Sequence, residues 1–134
     1  MSGHARAGAV IYAKDLPRLA SFYRDMMQAN TLHEQPDHVI LQSADLQLII
    51  HAIPPHIASS IAIESPPEPR EEQAIKLFFT TPSLDWARAT ARASGGAVTG
   101  EPWNGPGFQA CNAIDPEGNI LQIREVLEST VEPD

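Results

Sequence analysis

Two stretches of this chain spell out the same order of elements, and that repetition constrains the fold more than any single motif. In the first stretch an apolar run at 9–13 gives way to Leu16, Leu19, Ala20, Tyr23, Met26 and Met27, spaced as on one face of a helix. Asp15 stands as its N-cap, and Pro17 falls in the first turn, where a missing N–H costs nothing. Strand segments follow at 31–35 and 38–42, joined at Pro36-Asp37, and at 46–53, which stops at Pro54-Pro55. In the second stretch a strand at 74–81 leads through Ser83, another cap, into an Ala-rich helix at 84–94 closed by Gly95-Gly96. A short segment at 97–101 and strands at 108–114 and 119–126 complete it, with Gln47 and Gln122 at matching places.

The reading is therefore a duplicated strand–helix–strand–strand–strand module in an α+β chain. Module one covers about 6–53, a linker about 54–73 and module two about 74–127, within one domain spanning 1–134. Residues 54–70 carry five of the twelve prolines, as a crossover linker would, with a short element expected at 57–63. The tail at 128–134 is acidic and polar and is expected to fray. One helix per module covers one face of a sheet. The other face needs a partner or a ligand.

Charge and cysteine content narrow the function class. Nine basic against seventeen acidic residues give a formal charge of −8, which repels phosphate backbones and excludes nucleic acid as an expected partner. The lone Cys111 cannot form an internal disulfide, so it gives no sign of an oxidising compartment. No apolar run reaches the length of about 18 residues that a transmembrane helix needs, so no membrane is expected. The run at 7–13 is too short for a signal sequence, and the expected address is cytoplasmic.

The segment Val10-Ile11-Tyr12-Ala13-Lys14-Asp15-Leu16 leading into Phe22-Tyr23, the closing turn Asp115-Pro116-Glu117-Gly118-Asn119, and the doubled order together carry a resemblance. Over about 6–127 the chain resembles the glyoxalase/bleomycin-resistance/dioxygenase, or vicinal oxygen chelate, superfamily. The resemblance implies two βαβββ modules forming a curved, cleft-forming mixed sheet with helices on the outer face, usually in a homodimer. It also implies a divalent metal held from the first and last strands of each module. Carried residue by residue, those ligand positions fall on Gly8, Gln47, Lys76 and Gln122. Glycine has no donor, lysine is protonated at neutral pH, and two neutral amides offset none of a dication's charge. The expected cofactor is none, with a divalent metal disfavoured.

If the duplicated register holds, the concave face carries Val10 and Tyr12, then Gln47, Ile49 and His51, then Lys76, Phe78 and Thr80, then Ile120, Gln122 and Arg124. Apolar walls with a few converging polar groups make a small-molecule pocket. Lys76 and Arg124 suit an anionic group, unless both reach the rim and stay solvated. Gln47 and Gln122 offer both donor and acceptor, to a ligand or as a polar bridge between strands. His51 is the one histidine expected in the cleft, solvated or paired with Tyr12 rather than catalytic, while His33, His38 and His56 are expected at the surface. His4, three residues from the amino terminus, suits square-planar Cu(II) or Ni(II) and is taken as incidental. Trp103, in a Gly- and Pro-shaped loop at 101–108, is placed at a ligand or a packing contact.

The expected function is a bleomycin-resistance-like protein that binds a small organic molecule, anionic or aromatic, in its cleft without metal. Its ligand-binding residues would be Tyr12, Gln47, His51, Lys76, Phe78, Trp103, Gln122 and Arg124. The competing expectation is an enzyme: a metal-dependent glyoxalase-type lyase or extradiol-type dioxygenase with an unusual ligand set.

Overall fold

A computed structural model describes residues 5–127, so His4 and the tail at 128–134 lie outside the described residues. The first module runs β1 (Gly8–Ala13), α1 (Leu16–Met27), β2 (Asn30–Gln35), β3 (His38–Gln42) and β4 (Gln47–Ala52). After a four-residue helix α2 (Pro55–Ala58), the second runs β5 (Phe78–Thr81), α3 (Leu84–Ala93), β6 (Ala97–Gly105), β7 (Phe108–Ile114) and β8 (Ile120–Val126). The strands form two four-stranded mixed sheets of identical topology, β1-β4-β3-β2 and β5-β8-β7-β6. In each, the first strand pairs in parallel with the last and the remaining pairs are antiparallel. No described helix is long and apolar enough to cross a membrane.

Local chemistry sets the helix limits. The Asp15 carboxylate accepts the Arg18 N–H at the start of α1, and the Ser83 hydroxyl accepts the Trp86 N–H at 2.9 Å at the start of α3. Gln28 ends α1 in the left-handed region at φ 53°, where its N–H reaches back to the Arg24 and Asp25 carbonyls. Leu19, Phe22, Tyr23 and Met26 of α1 and Ala87 and Ala91 of α3 pack onto Leu41, Leu48 and Ile50 of the first sheet and Leu121 and Ile123 of the second. Strand burial alternates, so each sheet has one face under the helices and one open face.

The short linker element expected at 57–63 forms earlier, as α2 at Pro55–Ala58, and two strand boundaries shift. The strand expected at 74–81 forms only from Phe78, because the Gln73 side chain takes the backbone groups of Ile120 that a longer β5 would pair. Its amide accepts the Ile120 N–H at 2.8 Å and donates to the Ile120 carbonyl at 2.7 Å. The loop expected at 101–108 is mostly strand: β6 bulges between Thr99 and Trp103, where Pro102 has no N–H to give, then resumes with Trp103 opposite Ala110.

The turn Asp115–Asn119 is not an exposed hairpin end but the joint between modules. Glu117 accepts the Lys14 N–H at 2.9 Å on one oxygen and the Asp15 N–H at 2.7 Å on the other, at the entry to α1. Fully buried Asp115 accepts the Tyr23 hydroxyl of α1 at 2.7 Å. Gly118 adopts φ 88°, and a Cβ there would collide with the Glu68 carbonyl of the linker crossing over it. Only glycine fits.

Candidate functional site

The open face of the second sheet gathers most of the expected site. Arg124 of β8 faces Thr80 on one neighbouring strand and Ala110 on the other, two small residues that let its long side chain lie flat. Its guanidinium carbon sits 3.6 Å from the Phe78 ring centre and 4.1 Å from that of Phe108, so the group is held between two rings. Its Nε donates to the Gln122 side-chain oxygen at 2.6 Å, which fixes the plane of the fork. Lys76, just before β5, donates to the Asn112 side-chain oxygen at 3.1 Å and lies 5.8 Å from the Trp103 ring centre. Among the described residues neither cation has a carboxylate partner. Phe78 remains 52% exposed and Trp103 39%, so the aromatic surface around them is open. A cleft of 760 Å³ runs beside Lys76, Phe78 and Thr80, closed on the far side by the turn at Ser43, Asp45 and Leu46.

The first sheet carries a different surface. Tyr12, His51 and His38 are direct partners across β1, β4 and β3. Tyr12 and His51 ring centres lie 6.0 Å apart, His51 and His38 stack at 6.0 Å within 12° of parallel, and His33 of β2 adds a fourth ring 5.2 Å from His38. The expected pairing of His51 with Tyr12 is therefore present. His38, placed at the surface by sequence reasoning, is half-buried in the same row. The signal was available: a tight turn at Pro36-Asp37 fixes the pairing of β3, and the next strand then sets His38 opposite His51. Gln47 donates to Gln42 on β3 at 3.1 Å, the polar bridge between strands, so the two matching glutamines take local partners rather than each other.

The superfamily's metal positions can be tested against this register. Gly8 pairs with Gln47, and the equivalent partner of Gln122 is Phe78, two residues on from the Lys76 position expected from sequence. Gly8 and Phe78 offer no donor, and a Cβ at Gly8 would collide with the Gln47 carbonyl. The Gln122 oxygen already accepts from a guanidinium, whose charge repels a dication there. Those four residues do not fit a metal.

A second groove of 780 Å³ lies between the start of α1 and the linker, bordered by Lys14, Pro55, Glu64 and Glu117. The amides at that helix terminus already hold the Glu117 carboxylate, which removes the usual reason for an anion to bind there. Cys111 is buried in β7 with its thiol on the Thr99 carbonyl at 3.4 Å, and burial pushes its pKa up, which suits an inert thiol.

No family model matches the chain, and no curated protein matches its sequence. Solved structures match its shape. A glyoxalase/bleomycin resistance protein/dioxygenase family enzyme from Burkholderia phytofirmans PsJN is similar over 88% of this chain and 95% of its own, at 16% identity and a TM-score of 0.64. The fosfomycin resistance protein FosX from Mesorhizobium loti covers 96% of both chains at 10% identity and a TM-score of 0.62. A bleomycin-binding protein solved with bleomycin covers 91% of this chain and 98% of its own, at 16% identity and a TM-score of 0.57. The chain has the two-module fold of the glyoxalase/bleomycin-resistance proteins.

Proposed function

We propose that this protein binds a small organic molecule carrying an anionic group and an aromatic or apolar body, without a metal, on the open face of its second sheet. The observation that carries the reading is Arg124, clamped between Phe78 and Phe108, oriented by Gln122 and left without a carboxylate partner among the described residues. In a chain with a formal charge of −8, a preorganised and unpaired guanidinium is the natural seat for an acid group. Two phenyl rings lie against the guanidinium and its Nε is occupied, which leaves its Nη groups for the ligand. Lys76 and Trp103 extend the surface for the rest of the molecule. Tyr12, Gln47 and His51 belong to the other sheet, and none of the three borders the 760 Å³ cleft. A bleomycin-binding protein of the same fold shows that such a scaffold can serve recognition of a small molecule.

The binding unit in this reading is a cytoplasmic homodimer. Val10, Tyr12 and Ile75 are 51%, 62% and 76% exposed, an apolar surface that a second copy would cover. Sedimentation of the purified protein at micromolar concentration should give twice the chain mass.

The test of binding is calorimetry with a panel of aromatic carboxylates and their uncharged amides. Carboxylates should bind and the amides should not. Arg124→Ala should weaken binding by about ten- to a hundredfold, the worth of a hydrogen bond to a charged group at about 1.5–3 kcal/mol. Arg124→Lys should not restore it, because a point charge lacks the planar fork. Near-stoichiometric metal in the purified protein that is lost on Gln122→Ala would sink the metal-free reading in favour of the lyase or dioxygenase.

A further inference from the structure

We propose that the open face of the second sheet holds two anion seats, Arg124 and Lys76, and so selects a dicarboxylate with both acid groups on one edge of an aromatic ring. The inference rests on the reading of Arg124 as an anion site and adds a second charge to its ligand. Gln122 and Asn112 are direct partners across β8 and β7. Their Cα atoms therefore stand about 4.5–5.5 Å apart, and their side chains share a face. Each holds one cation: Gln122 accepts from the Arg124 Nε at 2.6 Å, and Asn112 accepts from the Lys76 Nζ at 3.1 Å. Two positive groups are thereby drawn to neighbouring points on one sheet face, in a chain whose formal charge is −8.

Both anchors are neutral amides. A carboxylate in either place would orient the cation as well but would cancel its charge, whereas an amide oxygen orients it and leaves the charge to a ligand. Donors remain on both groups: the lysine ammonium gives one of its three N–H bonds to Asn112, and Arg124 keeps its Nη groups. Each cation also lies against an aromatic ring that is partly open, Lys76 by Trp103 and Arg124 by Phe78. Those rings limit its swing and offer the body of an aromatic acid a surface to rest on. Between them the floor is low, because Ala110, opposite both Arg124 and Trp103, is fully buried. With no carboxylate partner among the described residues, the two like charges repel each other, and a ligand with two acid groups relieves what one acid group only halves. The second acid group also binds without a second loss of translational freedom.

The experiment is calorimetry of the full chain with isophthalate and with its monoamide, 3-carbamoylbenzoate, which keeps the shape and loses one charge. Isophthalate should bind about tenfold or more tighter than the monoamide, the worth of one further hydrogen bond between charged groups. Lys76→Met should lower isophthalate to the affinity of the monoamide and leave the monoamide as in the parent, which also reports that the variant is folded. Asn112→Asp keeps the lysine anchored but neutralises it, and should have the same effect. Arg124→Ala should weaken both ligands. Equal binding of the two ligands to the parent, or a Lys76→Met protein that still prefers isophthalate, would overturn the second seat while the single-anion site stands. Equal losses of both ligands in Lys76→Met would overturn it too, by placing both cations on one carboxylate. If neither ligand binds the parent, the anion site itself fails and this inference fails with it.

Discussion

A carboxylate with no solvent exposure is costly, and Asp115 survives because four donors reach it: the Tyr23 hydroxyl, the Asn119 side-chain amide, and the backbone N–H groups of Glu117 and Asn119. Burial still outweighs those bonds and holds its pKa above the ordinary carboxylate value. Burial, then the Asp115 charge, likewise pushes the Tyr23 phenol well up, so it stays a donor. The linkage follows from that direction. An Asp115 pKa raised on folding contributes stability that is full below the unfolded value and is lost as pH rises through the folded one. Removing the Tyr23 hydroxyl removes a bond that lowers the Asp115 pKa, so it moves higher still and the loss extends further. Tyr23→Phe should therefore cost about 1.5–3 kcal/mol at neutral pH, with the penalty shrinking as Asp115 protonates in acid. Urea denaturation of both proteins at several pH values measures this. A penalty that does not change with pH would mean that the carboxylate charge plays no part.

Among the elements, the helices and most strands were legible because caps and periodicity are local signals. Asp15, Ser83 and the 3.6-residue stripe of α1 are read without knowing the fold. What local pattern cannot show is competition between distant groups. Nothing in the 74–81 segment says that β5 starts at Phe78, since the cause is Gln73 binding Ile120 forty-seven residues away. Similarly, the second-sheet site was read from strand alternation at Lys76, Phe78, Gln122 and Arg124, but the clamp needed Phe108, whose place beside Arg124 depends on the β7–β8 register. The Gln73 contact has a measurable consequence. Gln73→Ala frees both backbone groups of Ile120 and should cost about 1–2 kcal/mol, with faster amide hydrogen exchange at Ile120. Unchanged exchange there would show that main-chain pairing, and not the Gln73 amide, protects that strand end.

At the scale of the molecule, the closing turn of module two is bonded to the first helix of module one, so the two halves should not unfold independently. Glu117 spans the joint with one oxygen on each of two backbone N–H groups, and α1 packs on both β5 and α3. The placement of the two tryptophans makes this testable. Trp86 and Trp103 both lie in the second module, so indole fluorescence reports that module alone, whereas far-UV circular dichroism reports both. If the modules are coupled, the two probes should give coincident urea transitions. In Glu117→Gln the side-chain amide can accept through only one atom, so one of the Lys14 and Asp15 N–H groups faces a donor. The cost should be about 1–3 kcal/mol, and both probes should shift together. A fluorescence transition that stays put while the dichroism transition splits would show that the duplicated modules are held side by side by the linker alone.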